Sequence, residues 1–431
     1  MRRRPQNAQI AQLVEQRTEN PRVAGSIPAL GIYFFIKSKE PKKLNRIPGD
    51  KMRKSRYRFK GKEYKRKKIL LGIGGGILFV ILILAISMGV KSCATKSEES
   101  SGKKGGAVAA DSQEVDGQEE EKKEDSVKAE PVQITVSTAG DCTLGTDEGF
   151  DQSTSLNAYY NEQGGAYFFQ NVKNIFEADD LTIVNMEGTL TTSDSRAEKL
   201  YAFKGDPSYV DILTNGSVEA ANMANNHSKD YGESSYEDTV KYLEEANITT
   251  FGYDKTAVME IKGLKVGLVG IYVLADGMER EEQLKANIAA VKEQGANLVI
   301  VSFHWGEERA TVPNEIQKDL AHIAVDNGAD LVVGHHPHVL QGIETYNGKK
   351  IVYSLGNFCF GGNKNPSDKD TMIFQQTFTF LDGKLQEDET VNIIPCSISS
   401  SSSRNNYQPT PAEGDEKTRI MEKIEKLSGQ I

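Results

Sequence analysis

The chain has 431 residues, 52 Lys+Arg against 61 Asp+Glu, and a net charge of −9. The charge is unevenly placed: residues 1–68 hold 21 basic against 5 acidic residues, so the remaining 363 hold 31 against 56. An acidic main body offers no field for phosphates, which excludes a nucleic-acid partner, and four cysteines without ligand spacing exclude a thiolate zinc module and a disulfide framework.

In chain order, the stretch Gln12 to Pro28 resembles the peptide made when a reading frame crosses a transfer-RNA gene, with Gly25-Ser26-Ile27-Pro28 matching a T-arm. Translation is therefore expected to start at Met52, and residues 1–51 are a mis-assigned start or a disordered tail. Residues 52–68 are a basic segment with ten Lys/Arg. Ile69 to Val90 then runs 22 residues without a charge, about 33 Å of helix and enough to cross a bilayer. Basic residues before this transmembrane helix and an acidic flank after it predict a single-pass protein of the cell membrane, with a cytoplasmic N-terminus and an extracellular C-terminal domain. A cleavable signal peptide is the competing reading, although no clear A-x-A site follows. Lipidation at Cys93 is a second alternative, against which Lys91 stands where a small apolar residue belongs. Residues 91–130 are mostly Ser, Gly, Lys, Glu and Asp with almost no large apolar side chains, a composition that cannot repay ordering entropy and reads as an acidic disordered linker, or stalk.

Over 131–398 short apolar runs alternate with helical stretches. The runs are 133–138, 181–186, 218–224, 265–273, 297–303, 330–334 and 350–355, the helical stretches 236–246, 279–294 and 314–328, which predicts an α/β sheet with covering helices. Residues 372–380 and 389–398 around Leu-Asp-Gly-Lys predict a hairpin, and 399–431 a C-terminal tail with a short helix over 414–428. A Cys359–Cys396 bridge is left open.

Polar and ionisable residues recur just after the predicted strands: Asp141, Glu187, Asn226-His227, His304, His335-His336-Pro337-His338 and Asn357. In open α/β sheets the site lies outside the carboxyl ends of strands, so one rim is expected to collect them. Five of the six histidines fall there, and an extended His336-Pro337-His338 would point both imidazoles to one face. His322 lies in a predicted helix and reads as structural. Carboxylate, amide and imidazole together suit a divalent transition metal, one or two ions of Mn, Zn or Fe, better than Ca.

Gly140-Asp141, Asn185-Met186-Glu187-Gly188, Ala224-Asn225-Asn226-His227, His304-Trp305-Gly306-Glu307, Gly334-His335-His336-Pro337-His338 and Tyr353-Ser354-Leu355-Gly356-Asn357-Phe358 resemble, in order, the motif set of the CapA/PgsA poly-γ-glutamate capsule biosynthesis family. The resemblance implies a four-layer α/β/β/α metallophosphoesterase-like sandwich, here preceded by one transmembrane helix and a disordered stalk. It implies metal ligands Asp141, Glu187, Asn226, His304, His336 and His338, with His227 as general acid or transition-state partner, oriented by Asp230. His335, Asn357 and Lys204 are expected to touch substrate. Two departures stand out: Asp141-Cys142-Thr143 lacks the imidazole of an Asp-x-His motif, and Glu187 replaces an aspartate. The implied function is a membrane-anchored hydrolase of a phosphoester or polyanionic envelope polymer. The alternative is a non-catalytic accessory or anchoring subunit, with capsule-synthase subunits as partners.

Overall fold

The computed structural model describes residues 130–387 and 390–431. The start at Met52, the basic segment, the apolar span 69–90 and the stalk up to residue 129 lie outside the described residues. Among the described residues no helix is long and apolar enough to cross a membrane.

The strands are β1 (Val132–Thr143), β2 (Leu181–Met186), β3 (Thr189–Leu190), β4 (Lys204–Gly205), β5 (Ala220–Asn222), β6 (Thr249–Phe251), β7 (Ala257–Ile261) and β8 (Leu264–Tyr272). They continue as β9 (Leu298–His304), β10 (Leu331–His335), β11 (Ile343–Tyr346), β12 (Lys349–Val352) and β13 (Asn357–Phe360). The last are β14 (Asp370–Leu381), β15 (Lys384–Leu385), β16 (Thr390–Ser397) and β17 (Thr410–Pro411). The helices among these residues are α1 (Leu156–Gln163), α2 (Lys173–Phe176), α3 (Val210–Asn215), α4 (Glu233–Glu245), α5 (Glu281–Glu293), α6 (Glu315–Asp326) and α7 (Gly414–Ser428).

Two mixed sheets carry the fold. One has the order β17-β16-β14-β1-β2-β5-β6, with β13 also on β1; the other runs β11-β12-β10-β9-β8-β7. The central strands of both are parallel. Their near-continuous apolar sequences follow from burial on both faces: β9 and β10 are buried at every residue. Three cores result. Ile134, Ile183, Phe251, Leu268, Ile300, Val333 and Phe374 pack between the sheets. Val184, Met186 and Ala221 meet Phe169, Phe176, Leu213 and Leu243 on the outer face of the first sheet. Val269, Val301 and Val332 meet Leu284, Ile288 and Leu320 outside the second. The layers are therefore helix, sheet, sheet and helix, an α/β architecture. At about 1.5–3 kcal/mol per fully buried large aliphatic side chain, these three cores supply the main drive to fold.

The elements follow local rules. α6 opens on a capping box in which the Asn314 side chain accepts from the Gln317 N–H. α7 buries Ile420, Ile424 and Leu427, one stripe at helical spacing. The expected strand over 350–355 ends early, at Val352, because the chain turns there to run into β13. Short elements such as α1, α2, α3 and β7 carry too few residues for a periodic signal. Cys142, Cys359 and Cys396 are buried free thiols, so the bridge left open between Cys359 and Cys396 is not formed. Each thiol turns to a backbone carbonyl instead, Cys359 to that of Tyr407 at 3.5 Å and Cys396 to that of Ile394 at 3.4 Å.

Candidate functional site

Parallel pairing brings the chemistry to one level on each sheet. Asp141 is in register with Asn357 and Asn185, and Asn185 with Asn222. In the facing sheet His304 is in register with His335 and Tyr272. Gly140 is needed just before Asp141, since a Cβ there would lie 2.0 Å from the Gly356 carbonyl oxygen. That closeness lets the Asp141 N–H donate to Gly356 at 3.0 Å.

The expected extended His336-Pro337-His338 is corrected by the backbone. β10 ends at His335, and His336 and His338 take φ of 96° and 57°. A left-handed turn, not strand periodicity, puts their ring centroids 5.6 Å apart, with His336 4.9 Å from His304. Strain of this kind collects at functional sites.

At the centre is Glu187. Both its carboxylate oxygens are buried and find no hydrogen-bond partner. Its Oε1 lies 3.9 Å from Nε2 of His227, 3.9 Å from Nε2 of His304 and 3.8 Å from Nε2 of His338. Those gaps exceed a hydrogen bond and match the span of two ligands around one ion at about 2.0–2.2 Å each. Glu187, His336 and His338 offer ligand atoms that lie within 4.8 Å of one another. A buried carboxylate left bare costs free energy that a cation offsets. The residues present thus fit a divalent metal.

The surrounding groups are tied to one another. Asn185 donates to Asp141 at 2.8 Å and approaches Nδ1 of His304 at 3.3 Å. Oδ1 of Asn226 accepts from Nε2 of His304 at 2.7 Å, and Oδ1 of Asn357 from Nδ1 of His338 at 2.8 Å. Burial and the neighbouring Asp141 charge push the Glu187 carboxyl well above the usual carboxylate range. Burial alone would raise Asp141, but the His335 and His338 imidazoles beside it, at 3.5 and 3.3 Å, take it well below the usual carboxylate range. Burial lowers His304 strongly and, with the His338 charge, takes His336 down to about 3. His338 goes the other way, well up, because Glu187 and Asp141 overcome its burial.

His227 is built differently. Its Nδ1 lies 2.7 Å from Oδ2 of Asp230 and 3.2 Å from Nζ of Lys199, while Lys199 donates to Oδ1 of Asp230 at 2.6 Å and to the Asn226 carbonyl at 3.0 Å. An ammonium only donates and a carboxylate only accepts, so Nδ1 carries the proton given to Asp230. Nε2 is left to act toward Glu187 and the cleft. Burial, then the Lys199 charge, lowers the His227 pKa.

The structure thus gathers Asp141, Glu187, Asn226, His227, Asp230, His304, His336 and His338. Asn357 lines the cleft. His335 lies behind the rim instead, 1% exposed, with Nδ1 3.5 Å from Oδ1 of Asp141. Lys204 turns to the Ser193 carbonyl, Asp194 and the Tyr231 ring, and is not among the cleft-lining residues. His322 of α6 pairs with Glu344 of β11, away from the rim. Sequence reasoning missed Lys199, Tyr201, Phe203, Glu308, Arg309 and Phe360, all at or lining the site; these lie in segments without periodicity. Asn185 carried a signal, two residues before Glu187 at the end of a strand.

The comparisons cover this region. A family model described as "Bacterial capsule synthesis protein PGA_cap" matches residues 135–362. The PGA biosynthesis protein CapA of Bacillus subtilis is 33% identical over 220 residues, 46% of this chain and 58% of that protein. The capsule biosynthesis protein CapA of Bacillus anthracis is 30% identical over 254 residues, 53% and 60% of the two chains. A "Probable polyglutamine synthesis accessory protein" of Mycobacterium tuberculosis is 29% identical over 213 residues, 42% and 55%. The chain thus spans about 55 to 60% of the length of these relatives. Among solved structures, a 5'-nucleotidase of Candida albicans aligns at a TM-score of 0.37 and 10% identity over 69% of this chain and 57% of that one. Likeness at that level carries no weight, and the fold rests on its own layers. Every candidate ligand, from Asp141 to His338, lies inside the matched span of 135–362, and the chain belongs to the bacterial capsule synthesis protein (PGA_cap) family.

Proposed function

We propose that this chain is a membrane-anchored, extracytoplasmic CapA-like protein of capsule and poly-γ-glutamate biosynthesis whose rim hydrolyses a phosphoester-type bond with a divalent metal. The observation that carries the reading is Glu187, buried with two unpartnered oxygens and ringed by three imidazoles at 3.8–3.9 Å. Asp141, Glu187, Asn226, His304, His336 and His338 would hold one or two ions of Mn, Zn or Fe. When bound, such ions polarise a phosphoryl oxygen and lower the pKa of water. The helix, sheet, sheet, helix order supports the metallophosphoesterase-like reading. His227 moves a proton at Nε2 to or from the reacting oxygens, Asp230 and Lys199 fix its ring, and Asn357 fixes that of His338. The uncharged span 69–90 supports anchoring, with the catalytic layers outside.

The second reading is an accessory or anchoring subunit of a capsule synthase, favoured by the word "accessory" in the name of the mycobacterial relative. Full chain purified without chelator is expected to carry at least about one transition-metal equivalent and to cleave bis(p-nitrophenyl) phosphate. Metal-free protein that stays inactive after Mn, Zn or Fe is restored would leave the accessory reading standing.

A further inference from the structure

We propose that the cleft beside His227 is a leaving-group subsite for a ring, a pyranose or an aromatic ring esterified to the phosphoryl group; this rests on the phosphoester reading above. If Nε2 of His227 serves the departing oxygen, whatever that oxygen carries must occupy the space next to the imidazole. That space has aromatic walls. Phe203 packs on His227 at 4.6 Å between ring centroids, and Tyr201 lies near-parallel to Phe203 at 6.3 Å and 9°. Across the cleft Phe360 packs on His338 at 5.4 Å. The two phenylalanines converge at Gly362, where a Cβ would come within 2.6 Å of Cζ of Phe360 and 3.1 Å of Cζ of Phe203. All three rings line the cleft.

The wall is fixed by the same groups that fix the proton-moving imidazole. The Phe203 N–H donates to Oδ2 of Asp230 at 2.6 Å, the oxygen that accepts from His227. The Ala202 N–H donates to Asp147 at 2.7 Å, and Arg196 ties Asp147 to the carbonyls of Ala197, Lys199 and Leu200. Positions 199, 201 and 203 of one segment therefore all reach the site. Aromatic walls favour a ligand with a flat or C–H-rich ring face. An unbranched polycarboxylate has none, and it would meet Glu308 and Asp368 as well as Arg309 in the same lining.

Equilibrium binding of four probes to the metal-supplemented full chain tests this: orthophosphate, glycerol 2-phosphate, glucose 1-phosphate and phenyl phosphate. At least one ring ester should bind about three- to tenfold more tightly than glycerol 2-phosphate, and which one does separates a sugar from an aryl source. Phe203→Leu, and the half-buried Tyr201→Leu if the first variant folds poorly, should remove that advantage while leaving orthophosphate and glycerol 2-phosphate within about twofold. Equal binding of ring and glycerol esters, an equal loss for all four probes in the variants, or binding of none would overturn the subsite. Ring preference without hydrolysis of any ester would keep the subsite and defeat the hydrolase reading; hydrolysis without ring preference would do the reverse.

Discussion

His227 and His336 both face the Glu187 carboxylate, but their other contacts differ, and so should their variants. His336 has a buried Nδ1 with no hydrogen-bond partner, so its ring is free to give a lone pair to a cation. His336→Ala, like Asp141→Asn, is expected to lower bound metal, hydrolysis and thermal stability together, because a ligand that binds only the native state stabilises it by linkage. His227→Ala should keep the metal, measured by elemental analysis, and lose about 10²–10⁴-fold in turnover. Lys199 is a positioning residue whose partner Asp230 has no side-chain exposure. Lys199→Met should cost about 3 kcal/mol in denaturant unfolding, the lower end for breaking a buried pair; Lys199→Arg should recover part of both stability and rate. Glu219, away from the rim, has its carboxyl pushed up by burial from an ordinary 4.5 to about 7. A folded pKa above the unfolded one means that the native state holds the proton more tightly, so stability falls as pH rises between about 4.5 and 7. Glu219→Gln should flatten that decline in thermal melts run across the window.

The C-terminal helix α7 lies beyond the matched span of 135–362, yet it closes the inter-sheet core through Ile420, Ile424 and Leu427. It also braces the cleft. Lys423 donates to Asp368, a cleft-lining residue, at 2.7 Å, and Arg419 forks onto Asp370 at 2.7 and 2.8 Å. Ile424→Ala is expected to destabilise by about 2–5 kcal/mol in chemical unfolding, the range for large-to-alanine cavities in a core; a loss below about 1 kcal/mol would show the helix to be peripheral. Helices of this length were legible in the sequence because a stripe at i, i+4 and i+7 is a local pattern. β1 was legible only in part: 133–138 alternates as a strand should, but the strand continues to Thr143 through Asp141. A charged residue reads as a strand end until the parallel partners β2 and β13 are known to flank it.

For the whole molecule, the single-pass reading predicts that protease added to intact cells, with any wall barrier removed, releases a fragment beginning between residues 96 and 130. Full protection would defeat that orientation. The sequence by itself determined the α/β class and the rim: apolar runs ending in Asp, Glu, Asn or His, repeated strand after strand, can meet only at the carboxyl edge of a parallel sheet. It also determined the family, since the motifs stand in order along the chain. Tertiary structure decided what no periodicity encodes. The left-handed turn at His336 and His338 replaced an expected extended stretch, His335 went behind the rim, and Lys204 turned away from the cleft. Lys199, Tyr201 and Phe203 joined the site from a loop, and Phe360 from the end of the short strand β13. The physical reason is range. Strand and helix patterns reflect each residue's nearest neighbours, whereas a loop is placed by distant anchors such as Asp147 with Arg196 and Asp230 with Phe203, pairings that exist only once β1, β2 and β5 stand side by side.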